Sequence, residues 1–187
     1  MTQRVIRIRS RWVAAILGIS LTLVAVPLGL ANTPYQEGRA VVLTRERQGM
    51  MGTLRDVSGW AAVMAGSLGD LEGILDETAT NPDSGRMLQG GQRGAQTLQR
   101  LGAVAQQADG AQVPAAMSDL QRRAREALAL EITAAQSVLA CVGAPRPDSI
   151  TAARSQLAAA RNLLEALEEL VQQQRKAISR QGGSHGW

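Results

Sequence analysis

Phenylalanine is absent from this 187-residue chain, and tyrosine, cysteine and histidine occur once each, as Tyr35, Cys141 and His185. Each scarcity removes a class of structure or chemistry. With one tyrosine and three tryptophans as its only aromatics, and without sustained two-residue alternation of β-branched side chains, strand signals are almost missing. A lone cysteine makes no intramolecular disulfide and cannot supply the Cys-x-x-Cys-His attachment of a c-type haem. A lone histidine, two residues from the C-terminus, cannot furnish the paired Glu-x-x-His elements of a di-iron bundle. In Gln181-Gly182-Gly183-Ser184-His185-Gly186-Trp187 nothing rigid holds it as a base for a serine or cysteine nucleophile. A zinc site would have to be built from carboxylates alone. Phosphate or single-stranded nucleic-acid sites want aromatic stacking beside converging charge, and that is missing too. The expectation is a protein with no catalytic residues, no metal, no cofactor and no nucleic-acid partner.

What the sequence does have begins at the N-terminus. Arg4, Arg7, Arg9 and Arg11 precede an uncharged run, Val13 to Ala31. A basic stub before an apolar run is the pattern of an export signal or a single membrane anchor. It also accounts for the charge. The chain has 20 basic and 16 acidic residues; without these four arginines the balance from Asn32 onward is even. The sequence pI near 10.5 therefore reflects targeting, not affinity for nucleic acid.

Two readings of residues 1–31 stay open. Pro27-Leu28-Gly29-Leu30-Ala31 places small residues at −3 and −1 of a cleavage site before Asn32. Against cleavage, the apolar core 13–31 would cover roughly 28 Å as a helix, close to one bilayer core. Trp12 suits the interface either way, and the arginines should stay cytoplasmic while the remainder crosses. No second apolar run follows, so a polytopic protein is not expected. Residues 32–187 are therefore placed on the extracytoplasmic side, periplasmic or cell-surface, and membrane-anchored if the segment is retained.

Breakers cut the exported part into four helical segments, at Thr80 to Gly85, Asp109 to Pro114 and Gly143 to Asp148. The predicted helices span about 34–78, 84–108, 114–142 and 149–180. Thr33-Pro34-Tyr35-Gln36 resembles a capping box that opens the first; Asp83 or Ser84, Pro114, and Asp148 or Ser149 suit the other starts. Residues 32–48 dilute the apolar pattern and read as a stalk or bent start, with Gly49 and Gly52 as the place for a bend. The four-helix bundle takes 49–180, and 181–187 is a flexible tail.

Heptad spacing supplies the predicted core. On the first helix it runs through Met50, Leu54, Val57, Ala61, Met64, Leu68, Leu71 and Leu75, and on the fourth through Ile150, Ala153, Leu157, Ala160, Leu164, Leu167, Val171, Gln174 and Ile178. The third carries a looser stripe of Leu120, Ala124, Leu128, Ile132, Ala135, Leu139 and Val142. The second has a thin seam of Leu88, Gly91, Ala95, Leu98, Leu101 and Ala105. Short connections favour antiparallel neighbours, so the fold class is an all-α, up-down-up-down four-helix bundle. Cys141 reads as a small buried residue. Glu131 reads as an acid reaching solvent from the edge of the third stripe. Arg122, Arg123 and Arg125, and Glu165, Glu168 and Glu169, read as solvated faces, with Arg161–Glu165 as an in-helix pair.

One pattern resists a purely structural account. Gly52, Gly59, Gly66 and Gly73 recur every seven residues opposite the first-helix seam. Glycine costs helix stability, so a strip of four suggests a helix-contact face that admits another backbone. The architecture is broadly similar to the four-helix sensory ectodomains of bacterial receptors, which return through a second membrane segment. Its absence here argues against signalling across the membrane by this chain alone. The expected function is an exported, membrane-associated interaction or scaffold module that binds a protein partner or itself. The alternative is a bundle holding a small apolar ligand, suggested by the Gly/Ala-rich second helix.

Export is testable directly. A reporter active only in the cytoplasm should stay silent when fused after Trp187, and N-terminal sequencing should begin at Asn32 if the leader is cut. Cytoplasmic activity of the reporter would refute the topology.

Overall fold

The computed structural model describes residues 35–36, 39–40, 44–80 and 83–183, with side chains over 44–80 and 83–180. The signal or anchor segment 1–31 and His185 lie outside the described residues. The chain divides into two units, Met1–Leu43 and Thr44–Trp187. In the first, β1 (Tyr35–Gln36) pairs antiparallel with β2 (Arg39–Ala40), Tyr35 opposite Ala40. The second unit contains α1 (Arg45–Thr80), α2 (Ser84–Gly110), a 3₁₀ turn (Ala115–Met117), α3 (Ser118–Gly143) and α4 (Pro147–Gly183).

The first helix starts later than its capping sequence predicts. Tyr35–Gln36 is extended, and α1 opens at Arg45, where the Arg47 amide donates to Thr44 Oγ1 at 3.3 Å. The physical reason is that most helical stability comes from packing an apolar face, and the buried face of α1 begins only at Thr53 and Leu54. α1 then runs through Gly49 and Gly52 without a break in the helix. The starts of α2 and α4 use side-chain hydrogen bonds. Asp83 accepts from the Gly85 and Arg86 amides at 3.2 and 3.4 Å. Pro147 takes the first position of α4, while the Arg146 amide donates to Ser149 Oγ at 3.2 Å. α3 begins at Ser118, its expected first turn at Pro114 being replaced by the 3₁₀ turn.

Four helices pack together: each on the next in sequence, α4 back on α1, and α1 on α3 across the middle. One core unites Leu54, Val57, Met64, Leu68, Leu71 and Leu75 of α1 with Leu120 and Leu128 of α3 and Leu157, Leu164, Leu167, Val171 and Ile178 of α4. Met50, Ile132, Leu139 and Ile150, expected in that core, are half-buried at its margin. Cys141 is buried. The stretch Ala115–Gly143 is long and apolar enough to cross a membrane by composition, with 44% of its apolar window buried inside the bundle. This departs from the expectation that no second apolar run follows, and the stretch belongs to a helix that packs on all three others.

Side chains also tie the helix ends. Arg47 Nη2 donates to the Ile178 carbonyl at 2.6 Å, joining the start of α1 to the last turns of α4. Gln121 donates to Ala108 O and Ala111 O, and Arg125 to Ala108 O and Asp109 O, satisfying carbonyls where α2 ends. The acids in the C-terminal half of α1 are held from both flanks. Arg93 and Arg100 of α2 reach Glu77 and Asp70, and Arg154 and Arg161 of α4 reach Asp76 and Glu72. Arg161 thus pairs across helices, not with Glu165. All four pairs are largely exposed, so each contributes under about 1 kcal/mol and mainly fixes register.

The α4 seam sets the stability test. Leu164→Ala or Leu167→Ala should cost on the order of 2–5 kcal/mol in a denaturant melt. Exposed Glu168→Ala should change it by under about 0.5 kcal/mol. Similar small effects at all three would mean that α4 is not packed along this seam.

Candidate functional site

Two features bear on function: the outward face of α1 and the inside of α3. Gly59, Gly66 and Gly73 are exposed and Gly52 is partly so. An added Cβ at any of the four would meet nothing within 4 Å. Among the described residues no helix occupies the strip. The face around it is unusual in its lack of charge. Between Asp56 and Asp70, the exposed residues of α1 are Gly59, Ala62, Val63, Ala65, Gly66 and Gly69. Val63 and Met51 are two of the large apolar residues left exposed, at 37% and 42%.

Close backbone approach inside the domain belongs to other glycines. A Cβ on Gly94 would lie 2.7 Å from Leu139 Cδ2 and 3.2 Å from its Cγ, and one on Gly90 would lie 3.4 Å from Ile74 Cγ2. The buried side of α2 is Gly90, Gly94, Thr97, Leu101, Val104 and Ala108. That corrects the expected second-helix seam. Leu88 is 65% exposed, and Leu98 is only half-buried. Leu101 of the expected seam is buried, but the rest of the buried line is offset from it, because here glycine is a contact: removing a side chain lets α2 settle onto Leu139, Ile74 and Val142.

Glu131 is the second correction. It was expected at the edge of its stripe, yet it is 1% exposed at the midpoint of α3. Its Oε1 has no hydrogen-bond partner. Burial pushes the carboxyl from its ordinary value of 4.5 up to about 8, because low-polarity surroundings disfavour the charged form. The neutral acid is therefore the form held at pH 7. A signal for this existed in the sequence. Glu131 lies seven residues from Ala124 and seven from Val138, both fully buried, so it continues an inward line.

The remaining charged clusters are surface features. Arg122 bridges Asp119 and Glu126 along α3, and this pairing holds its guanidinium above the ordinary value. Glu165, Glu168, Gln172 and Lys176 of α4 line a shallow groove with Ser58 and Ala62 of α1. It mixes both signs of charge and contains no aromatic side chain. Among the described residues no group of three or more His, Cys, Asp or Glu is placed to hold a metal ion.

The two kinds of glycine should respond oppositely to alanine. Gly59→Ala should raise stability by about 0.5–1 kcal/mol through helix propensity. Gly94→Ala must displace Leu139 and should fall below wild type by about 1 kcal/mol or more. Equal gains in thermal melts would show that the α2–α3 contact adjusts freely.

The sequence matches no family model, and no curated protein or solved structure matches it.

Proposed function

We propose that this protein is an exported, membrane-associated helical interaction module, non-catalytic, whose binding surface is the outward face of α1. The observation carrying this reading is the uncharged, open glycine strip on a helix whose other side is fully packed. A solvated helix face gains nothing from repeated glycine and loses propensity at each one. A face that receives a second backbone gains close van der Waals contact from the same residues. The basic stub and apolar run at the N-terminus support export and membrane attachment.

An up-down-up-down arrangement is part of the proposal. It is supported by the ion pairs Glu77–Arg93 and Asp70–Arg100, in which the residue number falls on α1 as it rises on α2. Asp76–Arg154 and Glu72–Arg161 run the same way between α1 and α4.

The face favours a second copy of this chain as the partner. About a two-fold axis between Ala62 and Val63, an antiparallel α1 pair sets Gly59 against Gly66 and Gly52 against Gly73. The same axis brings Arg55 opposite Asp70, so opposite charges meet at both ends. The alternative of a small apolar ligand has less support. Gly90 and Gly94, which made the second helix look loosely filled, lie against Ile74, Val142 and Leu139.

Crosslinking of the full chain in membranes tests this. Mild oxidation of Val63→Cys should give a species of twice the chain's 19.8 kDa, whereas Leu88→Cys, exposed on α2, should not. A Val63→Cys protein that stays monomeric, with unchanged sedimentation mass, would rule out self-association. A crosslink to a different protein would keep the interaction role and replace the partner.

A further inference from the structure

We propose that Glu131 makes the bundle proton-responsive: the domain is tight while this carboxyl is neutral, and it loosens around the middle of α3 as the carboxyl ionises. The device is independent of which partner the α1 face takes.

The geometry carries the argument. Glu131 is the one charged residue type among the buried side chains of the described residues, and it stands at the midpoint of a helix in contact with all three others. Its neighbours along the inward line are Ala124, Ala127, Leu128, Ala134, Ala135 and Val138, none of which donates a side-chain hydrogen bond. The other helices offer no relief. Ser67 Oγ of α1, Thr97 Oγ1 of α2 and Gln156 Oε1 of α4 are also buried without a partner. In the up-down arrangement, Asp70 faces Arg100 and Leu139 faces Gly94. Glu131, eight residues before Leu139, then stands level with Gly102, and Ser67 falls at nearly the same height. Ser67 is thus the buried polar side chain closest to it in height, and a single hydroxyl is too weak to hold an anion away from water.

No cation is in place to compensate it. Among the described residues every lysine, and every arginine but Arg47, is exposed, and half-buried Arg47 is engaged by the Ile178 carbonyl. Of the acids, half-buried Glu72 is held by Arg161, and the rest are exposed. On α2 and α4, packed against α3, the charged side chains all lie on the outer faces.

The sign follows from which state keeps its proton. Below about pH 4.5 the carboxyl is neutral folded or unfolded, and the stabilisation is complete. From there to about 8 the unfolded chain has released the proton while the folded one keeps it, so stability falls with rising pH. Above 8 the dependence flattens. Across the window the folding constant drops by up to about tenfold per pH unit.

The experiment is urea unfolding of the full chain and of Glu131→Gln between pH 4 and 9, with amide hydrogen exchange across α3. Wild type should lose stability relative to Glu131→Gln from about pH 5 upward, with faster exchange around Glu131, and the two should converge in acid. Glu131→Met serves the same comparison if the glutamine variant does not fold. A carbon-13 titration of the wild-type carboxyl adds a readout that needs no variant. Parallel pH profiles for wild type and variant, or a carboxyl titrating near its ordinary value, would overturn the proposal. So would protection of the α3 amides, taken relative to their intrinsic exchange rates, that does not change with pH.

Discussion

Everything in this domain depends on helices brought close together by small side chains. With no phenylalanine and, among the described residues, one buried tryptophan, Trp60, the core is filled mainly by leucine, isoleucine, methionine, valine and alanine, and such a core closes only if the backbones approach. Gly94 against Leu139 is the tightest expression of that requirement, with Gly90 in contact with Ile74 and Val142 one turn before it. Ala124, Ala134, Ala135 and Ala153, all fully buried, extend it along α3 and α4. Close packing leaves little room for water, which is why a carboxyl caught at the centre is so costly to ionise.

The surface completes the constraint. Acids near the C-terminal end of a helix oppose its dipole, and α1 carries Asp70, Glu72, Asp76 and Glu77 there. Arginines from α2 and α4 take these acids from both sides, turning an unfavourable local choice into a set of cross-helix registers. The consequence for α1 is a separation of duties around its circumference. One side is core, two flanks are ionic, and the outward strip carries no charge from Gly59 to Gly69.

How much of this was legible depended on side-chain size. The seams of α1 and α4 are written in leucine and methionine at 3,4 spacing, and the observed core follows them through Leu54, Leu68, Leu157 and Leu167. The first half of α2 is hard to read because its contact residues there are Gly90, Gly94 and Thr97, which carry no apolar signal, while Leu88 carries one and faces solvent. α3 was read as one stripe, yet it touches three helices, so its buried face is broad enough to enclose Glu131. Its midpoint was visible in the sequence; its burial required knowing how many neighbours α3 has. The glycines of α1 were recognisable as a pattern, but only the packed structure separates them from those of α2, since the spacing of glycine says nothing about what stands opposite.

Cys141 gives the domain a built-in clock. Its thiol is 1% exposed on α3, ten residues beyond Glu131, so a water-soluble reagent reaches it only when the helices part. Its modification rate in the unaltered protein would count openings of the fold, and a trapped adduct would record that one had occurred. In an oxidising compartment the same burial preserves a free thiol that an exposed position would soon lose.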